Sequence, residues 1–451
     1  MIGREEQLNT LTGYYESDKN NLSVLYGRYG IGKTELIKEF IKDKSHIYFH
    51  AAPSVAFEMI NSFNRVIKEQ FPDYKEASGY QGIFSGLTTA AGNRLLLVIE
   101  DFQHIVKVDD SFMEAVAALV RTRNPGLKVM VILTSSSVSW IENSMVKTIG
   151  VSAMAINAFI KLKELDYSDM VSLYPKCSTT MILHCYGVTG GVPLYLNRWN
   201  PNESIRDNIC RLFLRNDGIF RNEAENFIKD EFRESSVYNT ILKCIATGLQ
   251  KLNEIHEYTG FGRDKISVYL KNLIEREIVE KVFSYDAGGN ELTRKGLYRI
   301  KDDFINFWFR FVYPYAGLLN SIAPEEFYDR YIAPGFDEYM QEAFIKVAGE
   351  FLEIMSSMGR LKYNVERKGR WYGKTGDIHL IFEDEAGNGI VGQAYTGNEP
   401  VTLKDLETLK ENVNLAGINA GQYYLFSSRG FSEEIMSIQD DDLVRIRIED
   451  L

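Results

Sequence analysis

The sequence predicts an α/β multidomain protein in which a parallel sheet flanked by helices comes first and a small α/β domain comes last. Three observations predict it. Over residues 1–163 short apolar runs alternate with segments of helical periodicity, the pattern of strand–helix–strand units. Two of those runs end in reactive chemistry: residues 22–26 lead into a glycine loop, and residues 95–99 lead into Glu100-Asp101. Toward the other end, strand-like runs at 377–382 and 389–395 flank a Gly387-Asn388-Gly389 turn, and a helix at 403–415 and a strand at 423–427 follow.

The glycine loop, Gly27-Arg28-Tyr29-Gly30-Ile31-Gly32-Lys33-Thr34, fits G-x-x-x-x-G-K-[ST] and lies between a strand and the helical run 35–41, the context the motif requires. In such a loop Gly27, Gly30, Ile31 and Gly32 let backbone N–H groups wrap phosphates, and the helix opening at Glu35 points its positive end at them. Lys33 is suited to reach the β- and γ-phosphates and the Thr34 hydroxyl to ligate Mg²⁺, so ATP and Mg²⁺ are the expected ligands. The run 95–101 supplies the other half: a buried strand delivers Glu100 and Asp101 to its carboxyl end, where ligands of parallel sheets bind.

Composition narrows the class. A chain of 451 residues suits about three domains. Apolar content of 45% with 25% charged residues suits a globular protein, and a net charge of −11 excludes a general basic coat for nucleic acid. Cys177, Cys185, Cys210 and Cys244 form no C-x-x-C pair, so reduced, mostly buried thiols are expected; His184-Cys185 beside Cys177 has the wrong spacing for a metal site. No leader-like segment opens the sequence and no apolar run reaches the ~18 residues of a membrane span, so a cytoplasmic protein is expected.

In chain order, residues 1–8 begin an amphipathic helix, 46–51 read as a second strand, and Phe57, Ile60, Phe63 and Ile67 mark a helix. Residues 128–133 form a further strand ending in Thr134-Ser135-Ser136-Ser137, whose hydroxyls read either as partners of a γ-phosphate or attacking water or as a solvated turn. A fifth strand at 159–162 completes a P-loop-type sheet. Helical pattern continues to about Phe232, with Ser168 as a cap and Gly190-Gly191-Val192-Pro193 as a turn.

Residues 238–247, 251–258 and 263–276 then have helical spacing. The last buries Ile266, Leu270, Leu273 and Ile274 and turns Lys265, Tyr269, Lys271 and Asn272 outward. With strands at 278–285 and 298–300 around Gly288-Gly289-Asn290, this reads as a winged helix-turn-helix. Between Phe261 and Lys301 nine basic residues stand against six acidic ones, which makes Lys265, Tyr269 and Lys271 candidate DNA contacts; a plain packing role is the other reading. Residues 304–314 are apolar on every side and read as a helix anchoring two domains rather than a base-stacking groove. Residues 321–326 read as a linker and 331–358 as a long helix.

From end to end the chain resembles the prokaryotic, archaeal-type, AAA-like P-loop ATPases of the STAND class, in which a winged helix and a restriction-nuclease-like domain follow the ATPase. The resemblance is carried by Ile2-Gly3-Arg4-Glu5, the glycine loop preceded by Val24-Leu25-Tyr26, the acidic strand end followed by Phe102-Gln103, and Gly190-Gly191-Val192-Pro193. Further on it is carried by Ile300-Lys301-Asp302, Phe307-Trp308-Phe309-Arg310-Phe311, Gly369-Arg370-Trp371 and Ser427-Ser428-Arg429-Gly430-Phe431. It implies that Arg4 and Glu5 border the adenine and that Pro193 places a lid over the nucleotide. It also implies an organisation of ATPase core 1–163, helical lid subdomain 164–232, winged helix 233–318 and nuclease-like α/β domain 327–451.

Two departures from the family pattern alter the expectation. The family order at the strand end is Asp then Glu, the first fixing the metal shell and the second polarising water, whereas here Glu100 precedes Asp101. Misplacement by about 1 Å can cost ~10²-fold in rate, so slow hydrolysis is expected. The family's arginine-rich loop is also changed, to Arg28-Tyr29-Gly30. In the nuclease-like domain the resemblance puts His379, Gln393 and Tyr395 where Asp, Glu and Lys belong, and Ile345 where a helix Glu belongs, leaving Asp377 and Glu383 as stray acids. Nuclease activity is therefore expected to be absent. The expected function is an ATP-binding switch with slow hydrolysis, the alternatives being an ATP-regulated DNA-binding protein or, disfavoured, an ATP-dependent nuclease. A homo-oligomer or protein partner is open, as is an arginine supplied in trans, for which Arg121, Arg123 and Arg198 are candidates.

Overall fold

The computed structural model describes all residues except Ala91, Arg123, Pro125 and 286–295, so the Gly288-Gly289-Asn290 turn and Arg123 lie outside the described residues. The chain divides into two compact units. The first is Met1–Glu164 with Val192–Leu194; the second is Leu165–Gly191 with Tyr195–Leu451.

In the first unit five strands, β1 (Asn21–Tyr26), β2 (Ile47–His50), β3 (Arg94–Glu100), β4 (Lys128–Ser135) and β5 (Ala158–Lys161), pair in parallel in the order β2-β3-β4-β1-β5. Alternation along each strand splits the apolar residues between two faces. Leu22, Val24, Ile47, Phe49, Leu95, Leu97, Ile99, Val129 and Val131 pack on one side with helices Ala56–Gln70, Tyr80–Ala90 and Ser111–Val120. Leu25, Leu96, Val98, Met130 and Ile132 pack on the other with α1 (Glu5–Glu16) and α2 (Lys33–Ile41). Since β1, β3 and β4 are neighbours, their carboxyl ends bring three segments together: the glycine loop, Glu100-Asp101 and Thr134–Ser137. Of the apolar residues that mark helix Ala56–Gln70, Phe57 is exposed; Met59 and Asn64 join Phe63 and Ile67 on the buried face.

The second unit opens with helix Tyr167–Leu173, capped by Asp166 and not by Ser168: the Asp166 carboxylate accepts from Asp169 N–H and the Asp169 side chain accepts from Asp166 N–H. Three helices, Ser235–Ala246, Leu252–Thr259 and α3 (Arg263–Glu275), precede an antiparallel ribbon of β6 (Val279–Val282) and β7 (Leu297–Ile300). On α3, Ile266, Leu270 and Leu273 are buried, whereas Ile274 is exposed. The aromatic stretch is broken into helix Asp303–Phe307, a π-helical turn Trp308–Val312 and a 3₁₀ turn Tyr313–Leu318. Phe304, Phe307, Trp308, Phe309 and Phe311 are all buried, which removes them from any stacking surface. The expected linker is shorter than read, because a helix with proline in its first turn starts at Pro324.

At the end of the chain β8 (Arg367–Tyr372), β9 (Asp377–Glu383), β10 (Asn388–Tyr395), β11 (Asn419–Ser427) and β12 (Leu443–Arg447) form a mixed sheet in the order β12-β11-β10-β9-β8. The pairs β8–β9 and β9–β10 are antiparallel, while β10–β11 and β11–β12 are parallel. Helices α4 (Ala333–Ser357) and α5 (Leu403–Ala416) accompany the sheet. Among the described residues no helix is long and apolar enough to cross a membrane, and no group of three or more His, Cys, Asp and Glu could hold a metal ion. Cys185, Cys210 and Cys244 are buried free thiols and Cys177 is half-buried.

Candidate functional site

The loop between β1 and α2 is held by backbone. Gly27 N–H donates to the Ser135 carbonyl (3.2 Å), Ile31 N–H faces the Arg28 carbonyl (3.4 Å), and Ile31 is fully buried. Gly30 (φ +79°) and Gly32 (φ +93°) take left-handed backbone, and Gly32 caps α2 in that conformation. A Cβ at Gly30 would stand 2.7 Å from Leu194 Cβ, and Leu194 N–H donates to the Gly30 carbonyl (3.1 Å). Pro193 lies over Gly32, its Cγ 3.8 Å from where a Cβ would be. The turn that contains Pro193 thus covers the loop, and Leu194, which sequence reading missed, is the closer of its two residues.

Arg4 is a buried brace. Its guanidinium donates to the carbonyls of Ile31 (3.1 Å) and Lys163 (2.8 Å), tying the loop to the exit of β5, while the Glu5 carboxylate accepts from Arg4 N–H (3.0 Å). Arg28 pairs with Glu164 at 3.5 Å; Tyr29 and Glu35 are exposed. Lys33 is buried, and its ammonium donates to the carbonyls of Gly27 (2.8 Å) and Arg28 (3.0 Å). Burial pushes its pKa down to about 8, against the opposing pull of Asp101, Glu100 and Glu35.

The two acids are held differently. Residues 96, 98 and 100 of β3 face α2, so Glu100 meets the first turn of that helix, and the Thr34 hydroxyl donates to Glu100 Oε1. The Tyr48 hydroxyl donates to Glu100 Oε2, which also lies 3.2 Å from His50 Nδ1. Asp101 follows with φ +54°, a left-handed conformation that is uncommon for a residue with a Cβ. Its Oδ1 accepts from Gln103 Nε2 (3.1 Å) and Ser136 Oγ (3.1 Å), and its N–H donates to Thr134 Oγ1 (3.3 Å). Two hydroxyls at the end of β4, Thr134 and Ser136, therefore bind the second acid, while Ser135 Oγ accepts from Ser137 N–H (3.1 Å). Tyr48 and His50 escaped sequence reading. Their signal was the alternation of β2, where Ile47 and Phe49 point to one face and Tyr48 and His50 to the other.

Arg121 is exposed at the end of helix Ser111–Val120, which leads into the start of β4, so it lies at the edge of the sheet away from the loop. Arg198 is exposed in the second unit. On α3, Lys265 and Lys271 are exposed, but the outward residues are partly engaged within the unit. Tyr269 donates to Glu234, Asn272 donates to Tyr238 (2.8 Å), and Lys271 lies 3.9 Å from Glu275. Lys265 sits over the rings of Phe261 and Tyr269.

In the C-terminal sheet His379 and Gln393 face each other on β9 and β10, both buried. His379 Nδ1 accepts from Ala394 N–H (3.1 Å), which leaves Nε2 to carry the proton toward Asp377 Oδ2 (3.3 Å). Tyr395 hydroxyl donates to the Asp405 carbonyl (3.3 Å). Ile345 is buried, and the acid of α4 near this centre is Glu342, one helical turn earlier. Arg370 on β8 donates to both Glu342 oxygens (3.1 and 2.8 Å) and to Asp377 (3.0 Å), and Arg299 on β7 adds a contact to Glu342 (3.1 Å). Two acids therefore remain, joined by an arginine. Burial opposes the Asp377 charge, but the His379 hydrogen bond and the Arg370 guanidinium hold that carboxyl well below its ordinary range.

Residues 1–198 match a family described as an ATPase domain predominantly from Archaea, and residues 308–393 match one described as archaeal and bacterial proteins of unknown function. An uncharacterized protein of Methanocaldococcus jannaschii is 28% identical over 382 residues, 84% of each chain. A stretch of 44 residues is 44% identical to an uncharacterized ATP-binding protein of the same organism, covering 10% of this chain and 75% of that one. The Walker-type ATPase of Pyrococcus abyssi superposes with a TM-score of 0.50 over 69% of this chain and 96% of its own, at 17% identity, a likeness of fold. Residues 1–198 are thus similar to the predominantly archaeal ATPase-domain family, and residues 308–393 to the second family.

Proposed function

We propose that the protein is a nucleotide-state switch that binds ATP with Mg²⁺ and hydrolyses it slowly. The observation that carries the reading is the meeting of Lys33, Thr34 and Glu100 at the ends of β1 and β3. A hydroxyl and a carboxylate in contact beside a buried ammonium are a hard-oxygen donor set suited to Mg²⁺ next to phosphate. Lys33 would hold the β- and γ-phosphates, Thr34 and Glu100 would hold the ion, and the ion when bound would neutralise charge developing on the transferred phosphoryl group. Asp101, steadied by Ser136 and Gln103, would orient the attacking water. The shorter acid in that place and the longer one toward the ion support slow turnover.

The switch component rests on the path of the chain. Val192–Leu194 group with the glycine loop, while Leu165–Gly191 and the chain from Tyr195 group with the second unit. A change in loop conformation with nucleotide would be passed to both flanks of that segment. The experiment is the nucleotide content and turnover of the purified protein. Turnover below about 1 s⁻¹ is expected, and Glu100→Asp combined with Asp101→Glu should raise it. Fast turnover in the wild type, or no gain in the double variant, would sink the slow-hydrolysis reading.

A second reading, an ATP-regulated DNA-binding protein, draws on the three helices and ribbon of residues 235–300, a winged-helix order, and on the exposed Lys265 and Lys271. Because Tyr269 and Asn272 are already engaged, it stands behind the switch. The C-terminal domain is read as nuclease-like without nuclease chemistry, since His379, Gln393 and Tyr395 stand where the metal-site residues would be and Arg370 engages the two acids nearby.

A further inference from the structure

We infer that Tyr48, assisted by His50, is a positioning residue for the Glu100 carboxylate, and that it compensates for the glutamate standing where a shorter acid would suffice. The inference rests on the Mg²⁺-nucleotide reading of the site and adds a residue to it.

A glutamate at the end of β3 has one more rotatable bond than an aspartate and places its carboxylate about 1.5 Å farther out, one C–C bond. Left to itself it would sample several rotamers, and a metal ligand that must be ordered on binding loses affinity for it. Here both oxygens are fixed. Oε1 accepts from Thr34, and Oε2 accepts from Tyr48 and lies beside His50. The register makes this possible: Tyr48 is opposite Val98 and His50 is opposite Glu100 in the parallel β2–β3 pair, so 48, 50 and 100 share the face of the sheet that meets α2. The Tyr48 ring packs against that core, which holds its hydroxyl in place. An aspartate at position 100 would stop short of the Tyr48 hydroxyl. The tyrosine and the longer acid therefore belong together.

The test measures affinity rather than turnover, with a fluorescent ADP analogue titrated in Mg²⁺ and again in EDTA. Tyr48→Phe removes one hydroxyl and keeps the ring. It should weaken binding in Mg²⁺ by about tenfold, as expected for one hydrogen bond to a charged group, and change binding in EDTA by less than about twofold. His50→Gln should show the same Mg²⁺-confined loss at smaller size. In a Glu100→Asp background Tyr48→Phe should have almost no further effect, because the pair is already parted. Equal losses in Mg²⁺ and EDTA would mark a merely structural role and overturn the inference, as would no loss, or the same loss in the Glu100→Asp background. A wild-type protein that binds no nucleotide would overturn the nucleotide reading and the inference with it. Wild-type binding that needs Mg²⁺, with unchanged variants, would overturn the inference alone.

Discussion

Removing the arginine between the two C-terminal acids should destabilise the protein by about 2 kcal/mol, a value placed between the ~3–5 kcal/mol of a broken buried pair and the ~0–1 kcal/mol of an exposed one. Arg370 is only 13% exposed, whereas Asp377 is 35% and Glu342 52% exposed. The guanidinium side is thus nearly dry and the carboxylate side half wet, so solvent takes back much of what three contacts at 2.8–3.1 Å would otherwise give. Among the described residues, Arg370→Ala leaves Glu342 with Arg299 alone and Asp377 with His379 alone, and the repulsion between the two carboxylates is the larger part of the loss. Urea denaturation followed by tryptophan fluorescence would report it. Arg370→Lys should fall between, because a point charge cannot serve both acids with a fork. Adding Asp377→Asn to Arg370→Ala should recover stability, since it removes one of the stranded charges. Stability of Arg370→Ala within about 0.5 kcal/mol of wild type, the spread of ordinary surface substitutions, would refute the clamp.

Other outcomes follow from particular contacts. Gly191→Ala would set a Cβ 2.0 Å from the Leu165 carbonyl at φ +73°, so a thermal midpoint lowered by several degrees is expected, and an unchanged melt would show that the turn can shift. The depressed Asp377 carboxyl means that the unfolded chain takes up its proton first. Its stabilisation is present above about pH 4, the unfolded range, and is lost as pH falls below that. Acid unfolding monitored by circular dichroism should then be steeper in wild type than in Asp377→Asn. If α3 contacts DNA, Lys265→Glu with Lys271→Glu should abolish a salt-dependent binding isotherm; binding that survives both changes would remove α3 from the interface.

What was legible in the sequence was local. Residues 27–34 and 95–101 carry motif, burial and strand context within a few residues of each other, and both stand where the pattern puts them. The pairing of β2 with β3 is a long-range event, so the partners of Glu100 could not be read from β2 even though its alternation was plain. Two edge strands were missed for a related reason. β8 reads Arg367-Lys368-Gly369-Arg370-Trp371-Tyr372 and β12 ends in Arg445-Ile446-Arg447, and such polar runs become strands only because a neighbour supplies hydrogen bonds. Glu342 stands one turn before Ile345 on the same side of α4, so the two differ in position along the helix and not in face, and which of them meets Arg370 is set by the long-range packing of α4 on the sheet. Asp166 and Ser168 are both good caps by composition, and the reciprocal bond with Asp169 decides between them.

The two acid clusters differ in the one respect that decides whether a cation from solution can serve them. At the C-terminal sheet Glu342 and Asp377 already have a cation, covalently part of the chain, with donors fixed at hydrogen-bond distance. A divalent ion would have to displace a guanidinium that is itself nearly buried, stranding that charge at a cost of several kcal/mol. At the end of β3 the donors around Glu100 among the described residues are the hydroxyls of Thr34 and Tyr48 and the His50 imidazole. Lys33 is near enough for its charge to be felt but spends its hydrogen bonds on loop carbonyls. Hydroxyl donors orient a carboxylate without neutralising it, so its charge stays available, and the Thr34 oxygen has lone pairs to offer the same ion. On the proposed reading the end of β3 would offer Mg²⁺ a place, whereas the two acids at the C-terminal sheet are already served by the chain's own arginine. A Mg²⁺ titration of the full-length protein should accordingly show an effect on nucleotide affinity that Glu100→Gln removes and Arg370→Lys leaves unchanged.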